Sequence, residues 1–186
     1  MKKLFLTLAL AFVGIFSANA QLWMGGSING SIQENNYVTG NDIALKVSPE
    51  IGYSFKDSRW TIAAGLTYQY NFVKQMQLPN DADPANPIIM NDVKTNRFIL
   101  SPYVRYTACT IEKFALFCDL TGDIDTFSPQ MYAVGLRPGI AWMATEHWTA
   151  AFRFGFLGYD HLFERGNGFF LDCGLGTSSI GLYYNF

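Results

Sequence analysis

Two histidines, His147 and His161, are the side chains best suited to catalysis. His161 follows Asp160 and lies near Glu164, and a histidine beside a carboxylate can activate a serine nucleophile. No His-x-Ser sequence is present, however, so neither histidine has a serine two residues away on the same strand face. His147 precedes Trp148 in a predicted turn, which favours a surface residue. The sequence therefore predicts no catalytic residues and a protein that is not an enzyme.

Oxygen-bearing side chains at Asp81, Asp83 and Asn86 resemble calcium ligands only in type. Their spacing lacks the central glycine and terminal glutamate of a calcium loop, so a solvated loop is the better interpretation. Gly174-Leu175-Gly176 does not predict a nucleotide site, because no strand–turn–helix context surrounds it. We expect no metal and no cofactor.

Three cysteines, Cys109, Cys118 and Cys173, cannot all pair with one another within the chain. They form no C-x-x-C pair and have no zinc-type spacing. Small buried or membrane-facing residues are therefore the better interpretation, although the sequence leaves their oxidation state open.

The amino terminus has the three parts of a secretory signal peptide. Lys2 and Lys3 precede an apolar run, and Ala18-Asn19-Ala20 supplies the small residues of a cleavage site. We expect a signal peptide at residues 1–20, cleavage after Ala20, and one domain at 21–186. The formal net charge is −2 without a basic block, which argues against nucleic acid as a partner. No apolar run after Ala20 is long enough for a membrane helix.

Apolar and polar residues alternate along most of the remaining chain, which predicts β-strands with one apolar face. The predicted strands cover about residues 21–32, 42–55, 59–72, 93–107, 114–122, 131–143, 148–159 and 169–186. The last contains a change of phase, because Leu171 and Leu182 lie on opposite parities. A β-bulge within residues 174–179 would absorb it. The long segment 73–92 is predicted to be an exposed loop.

In the first seven strands the large apolar residues share one face, and none of the residues that we assign to this face carries a charge, so we interpret it as the outer face. Phe152, Phe154 and Phe156 are examples. The connections alternate long and short, which places the short turns at one end of a barrel. Aromatic residues lie near both strand ends, as at the interfaces of a bilayer. The sequence therefore predicts an all-β, eight-stranded, antiparallel, up-and-down transmembrane β-barrel.

The opposite face carries charges that an eight-stranded lumen must pair or hydrate. Counted from the short turns, several lie at similar heights, and we expect one structural ion-pair layer in which Asp119 and Arg153 flank Arg137. The predicted interior ion-pair residues are Glu50, Arg105, Asp119, Arg137 and Arg153. A conducting ion path is the alternative, but the narrow barrel favours a closed lumen.

The carboxyl-terminal strand alternates Ile180, Leu182, Tyr184 and Phe186 on one face and ends on an aromatic residue. With the predicted signal peptide and strands, this ending resembles the small eight-stranded outer-membrane barrels of the OmpX and OmpA type, over residues 21–186. The resemblance implies that these four residues form the signal read by the barrel-assembly machinery. It also implies location in the cell outer membrane. The full OmpA plan has a further periplasmic domain, which this chain does not show.

The resemblance transfers architecture and location better than activity. We expect an outer-membrane protein that works in adhesion or envelope integrity, with an extracellular ligand bound by its long loops. The expected partners are outer-membrane lipid and, during biogenesis, periplasmic chaperones and the assembly machinery, with the mature protein a monomer. A narrow porin-like channel and a lipid-modifying enzyme are the two alternatives.

Overall fold

The computed structural model describes residues 20–34, 41–77, 89–161 and 167–186. The predicted signal peptide and residues Asp81, Asp83, Asn86 and Glu164 lie outside these ranges. Within them are ten β-segments and one 3₁₀ turn, and no helix there is long and apolar enough to cross a bilayer. The segments are β1 (Ala20–Glu34), β2 (Asn41–Phe55), β3 (Trp60–Gln77), β4 (Ile89–Ile111), β5 (Phe114–Asp125), β6 (Tyr132–Met143), β7 (Trp148–Arg153), β8 (Phe156–His161), β9 (Asn167–Asp172) and β10 (Ser179–Asn185).

These segments form a closed, eight-stranded, antiparallel barrel, which confirms the predicted fold class. Each of β1 to β6 is one barrel strand. The seventh strand consists of β7 and β8, which both pair with β6, and the eighth consists of β9 and β10. Pairing of β1 with β10 from Trp23↔Asn185 to Ile28↔Ile180 closes the cylinder.

The two faces of the wall have the predicted polarity. Phe152, Phe154 and Leu182 are 40%, 38% and 53% exposed on the outside. Arg153 is 6% exposed and Glu50 is also 6% exposed, and both lie in the interior. The alternation of each strand therefore places oily groups outward and ionic groups inward.

The seventh strand departs from the prediction at Gly155. Gly155 has a φ of 75°, in the left-handed region that favours glycine, and it separates β7 from β8. This break shifts the phase, so that Phe156 is 1% exposed and points inward while Leu157 is 49% exposed. Placement of Phe156 on the outer face was therefore wrong, because the prediction assumed unbroken alternation.

A larger irregularity than the predicted β-bulge interrupts the eighth strand. β9 ends at Asp172, a 3₁₀ turn covers Leu175–Thr177, and β10 begins at Ser179. The phase change is present where it was expected, but a turn produces it. A register irregularity between Thr107 and Cys109 in β4 was not predicted.

Several strands extend beyond their predicted ends, so the connections are shorter than expected. β3 and β4 continue pairing to Gln77↔Ile89, inside the segment predicted as a loop. β5 continues to Asp125 and β8 to His161. These extensions move inward-facing acidic residues from predicted loops into the barrel wall.

An aromatic cluster fills the lumen toward the end with the short turns. Trp23 meets Tyr183 edge to face at a centroid distance of 5.0 Å, and both pack with Phe117. Gly139 leaves room for the Phe117 ring. A Cβ at position 139 would collide with this ring and with the Phe152 carbonyl oxygen. This end of the lumen is therefore packed like a protein core.

Replacement of Gly139 by alanine should destabilise the barrel by about 1–3 kcal/mol, because the Phe117 ring must leave its site. The matched control is Gly122→Ala, where a Cβ meets nothing within 4 Å. Urea unfolding in detergent micelles, followed by tryptophan fluorescence, measures both. Equal stability of the two variants would contradict the packing.

Candidate functional site

Arg153 on β7 is the centre of the buried charge cluster in the lumen. Its guanidinium donates to both carboxylate oxygens of Glu50, at 3.0 Å from Nη1 and 2.7 Å from Nη2. Its Nε donates to Asp119 Oδ2 at 2.8 Å. One cation thus connects β7 with β2 and β5 across the interior, through charge-assisted hydrogen bonds.

Asp119 has a second cationic partner. Arg105 on the neighbouring strand donates from Nε to Asp119 Oδ1 at 2.7 Å and from Nη2 to Oδ2 at 2.9 Å. The Arg105 guanidinium also lies 3.8 Å from the ring centroid of Phe117, which joins the charge cluster to the aromatic cluster below it.

Glu50 is surrounded by hydroxyl donors as well as by Arg153. Ser27 Oγ and the Tyr103 hydroxyl each donate to it at 2.6 Å, and the Tyr183 hydroxyl lies 3.3 Å from both its oxygens. A buried carboxylate with this many partners avoids the cost of an unpaired charge. Tyr103, Tyr183 and Ser27 were not singled out from the sequence, because their residue types are common on any strand.

Arg137 does not lie in one layer with Asp119 and Arg153, as the sequence predicted, because its ion-pair partner is Asp123. Asp119 and Arg137 are cross-strand neighbours, yet the Arg137 guanidinium donates to Asp123. Its side chain lies 5.7 Å from the ring centroid of Phe156, farther toward the long-loop end than the Arg153 cluster. The predicted single layer is therefore two groups of ion pairs.

Asp123 and Asp125 are interior residues that the prediction missed. Both are 3% exposed, and Asp125 Oδ2 lies 3.5 Å from Arg97 Nε. Asp125 also accepts the backbone N–H groups of Phe127 and Ser128, which fixes the turn after β5. The alternation of Asp119, Asp123 and Asp125 on one parity was the signal that β5 continues past Gly122.

A polar cavity of about 80 Å³ lies on the long-loop side of the Arg153 cluster. Hydroxyl groups from several strands line it, including those of Ser48, Thr67, Ser101 and Thr121. The cavity has room for about five waters, since one water needs roughly 15 Å³ by this measure. The Arg153 cluster separates this cavity from the aromatic cluster.

Asp160 and His161 do not form a catalytic pair. Asp160 is fully buried with its side chain toward the interior, whereas His161 stacks on Tyr132 at a centroid distance of 5.1 Å on the outer face. Adjacent strand residues point to opposite faces, so the carboxylate cannot orient this imidazole. His147 lies in the short-turn region, with its Nδ1 3.0 Å from the Asn185 carbonyl oxygen.

The predicted assembly-signal residues lie on the outside of β10 and after it. Ile180, Leu182 and Phe186 are 61%, 53% and 60% exposed, and Tyr184 stacks with His147. The Phe186 N–H donates to the Leu22 carbonyl oxygen at 3.0 Å, which joins the last residue to β1. The row of apolar groups is thus continuous with the outer wall.

Cys109, Cys118 and Cys173 are free thiols, of which Cys109 and Cys173 are exposed and Cys118 is half-buried. Within residues 20–34, 41–77, 89–161 and 167–186, no group of three or more His, Cys, Asp or Glu side chains is arranged to hold a metal ion.

No protein-family description and no curated protein matches the sequence. The barrel itself is therefore the basis for assigning a function.

The substitution Arg153→Met should destabilise the barrel by about 3–5 kcal/mol. Glu50 would lose its cationic partner, and Asp119 would retain Arg105. The Arg153 side chain is 7% exposed. Arg137→Met is the matched control and should lose less, since its side chain is 29% exposed beside the cavity. Urea unfolding in micelles tests the order, and a larger loss for Arg137→Met would refute it.

Proposed function

We propose that this protein is an integral β-barrel of the bacterial outer membrane that holds surface loops on a rigid, internally closed mount. The main support is the difference between the apolar outer face and the charged inner face of the barrel wall. Large apolar side chains are exposed on every barrel strand, while the buried groups include several charged residues. Such an outer surface far exceeds the apolar patches that soluble monomers expose. A bilayer supplies the environment that this surface requires.

Aromatic side chains near both ends of the wall support the membrane assignment. Trp60 packs on Tyr106 at a centroid distance of 4.8 Å toward the short turns, and Tyr68 packs on Phe98 at 5.3 Å toward the long loops. Amphipathic rings favour the two interfaces of a bilayer. The proposed orientation places the short turns in the periplasm and the long connections outside the cell.

The closed interior argues against the porin-like alternative. The Arg153 cluster and the aromatic cluster together cross the lumen, with Trp23, Tyr183 and Arg153 each no more than 6% exposed. An eight-stranded barrel is narrow enough for side chains to fill it. The opposite orientations of Asp160 and His161 likewise weigh against a lipid-modifying enzyme, and we propose a non-enzymatic role.

Surface recognition is the role that this geometry favours. The described strand ends that flank residues 35–40, 78–88, 126–131 and 162–166 lie at one end of the barrel, opposite the tight turns. In the loop after β5, Phe127 is 74% exposed. Loops held by a rigid scaffold commonly carry binding residues. Biogenesis would use the assembly machinery and periplasmic chaperones, with the outward row that ends at Phe186 as the assembly signal.

An arginine in the middle of the outer wall should impair membrane insertion. Leu136 is 41% exposed and lies between the two aromatic zones, so Leu136→Arg should lower the folded, inserted fraction by the equivalent of about 2–4 kcal/mol. Phe127→Arg, in the loop, should have little effect. Refolding into phospholipid vesicles, read by protease protection, compares them. Normal insertion of Leu136→Arg would contradict a lipid-facing position for Leu136.

Shortening of the connection between β3 and β4 tests the surface role. Replacement of residues 78–88 by Asn-Gly preserves the pair Gln77↔Ile89 and should abolish adhesion without preventing barrel insertion. The control puts Asn-Gly at Glu112 and Lys113, where Glu112 has a φ of 51°. Adherence of displaying cells to immobilised glycans and extracellular proteins provides the measurement. Adhesion that survives the loop replacement would exclude this loop as the binding element.

A further inference from the structure

On the long-loop side of the pair Ile28↔Ile180, backbone pairing across the barrel wall is interrupted between β1 and β9. We call this interruption the seam. Pairing of β1 with β10 stops at this point, and among the described residues β9 pairs with β8 alone. The seventh strand breaks at nearly the same height, at Gly155. Among the described residues, no β-ladder hydrogen bonds therefore join β1 to β9 across the seam.

Residues 173–178, which we name the seam turn, occupy the wall at this point. Asn29 Nδ2 donates to the Ser178 carbonyl oxygen, and Gly176 lies beside Ser31. The turn also has hydrogen bonds of its own, because Thr177 Oγ1 donates to the Gly174 carbonyl oxygen at 2.8 Å. These internal bonds can persist if the turn swings away from β1.

The polar cavity lies directly behind the seam turn. Gly176, Thr177 and Ser178 line it from the turn, and Ser27 and Asn29 line it from β1. Displacement of the turn would therefore add a sideways entrance, through the wall, to this partly open cavity. The Arg153 cluster closes the other end.

The charges around this cavity balance one another, with three cations and three carboxylates. They are Lys46, Arg137, Arg153, Glu50, Asp119 and Asp123. Arg153 is paired with Glu50 and Asp119, and Arg137 with Asp123. The remaining surface is rich in hydroxyl groups, such as those of Ser48 and Ser101. This chemistry suits an uncharged group with several hydroxyls better than an ion.

The outer rim of the seam is apolar. Ile28 is 59% exposed, Ile180 61% and Leu171 73%, and all three lie on the outer face. A ligand that reaches the cavity through the seam would thus pass from oily surroundings into a polar pocket. An amphiphile matches both environments, with its headgroup inside and its chain outside.

We propose that the seam turn is a side gate through which the cavity takes up the glycerol-sized, uncharged headgroup of a single-chain amphiphile. The acyl chain stays in the surrounding hydrocarbon. A cavity with room for about five waters fits a headgroup with the six heavy atoms of glycerol. This inference rests on the proposed membrane location for the source of the ligand, while binding itself can be measured in micelles.

A reversible disulfide can lock the gate. A Cβ at Gly176 would lie 3.9 Å from the Ser31 Cβ, a separation suited to a disulfide. The test protein combines Ser31→Cys and Gly176→Cys in a background with Cys109→Ser, Cys118→Ala and Cys173→Ser. It is refolded under reducing conditions and then oxidised, so both states come from one folded sample.

The probe is monooleoylglycerol, titrated into the protein in detergent micelles. Binding is read from the amide NMR shifts of the cavity residues Gly65, Ser101 and Thr121. We expect saturable shifts in the reduced protein and at least tenfold weaker binding in the oxidised protein.

Three outcomes would overturn the inference. Equal binding by the locked and reduced proteins would exclude entry through the seam. Tighter binding of oleate than of monooleoylglycerol would exclude an uncharged headgroup. Absence of cavity shifts in the reduced protein would exclude the site. None of these results affects vesicle insertion by the wild-type protein, so failure of the gate remains distinguishable from failure of the membrane assignment.

Discussion

The ion-pair cluster at Arg153 constrains the rest of the barrel more than any other interaction. One buried guanidinium contacts Glu50 from a strand far away in the sequence and Asp119 from another. Removal of one partner would leave an unpaired charge in a low-dielectric interior. The strands must therefore pair in the one register that brings these residues together. A slip of one residue would turn Arg153 to the outer face, so the cluster and the apolar wall select the same pairing.

This cluster also divides the lumen into two parts with different properties. Toward the short turns, aromatic rings opposite glycines leave little free volume, as at Phe117 and Gly139. Toward the long loops, hydroxyl groups and further ion pairs surround a cavity. Close packing is thus concentrated at one end, while the cavity and the breaks in the seventh and eighth strands lie toward the other.

Period-two alternation made the barrel and its polarity predictable, because each strand has one face in each environment. It could not place Phe156, since a single left-handed glycine, Gly155, reverses the parity of the residues after it. Nor could it choose Asp123 over Asp119 as the partner of Arg137, because side chains as long as arginine reach past their cross-strand neighbour. Strand ends failed similarly, as polar inward residues such as Asp125 resemble loop residues in sequence.

The two broken strands form one matched feature. The break at Gly155 changes the parity of the seventh strand, and the turn before Ser179 changes that of the eighth. As a result Leu157 and Leu171 are opposite each other and both face outward. A break in either strand alone would place apolar residues of one against polar residues of the other. The cost is that, in the part of the chain that the structure describes, β9 pairs with β8 alone, and a bilayer would penalise an unpaired strand edge. An irregular stretch of wall beside a polar cavity is what the proposed movement of the seam turn requires.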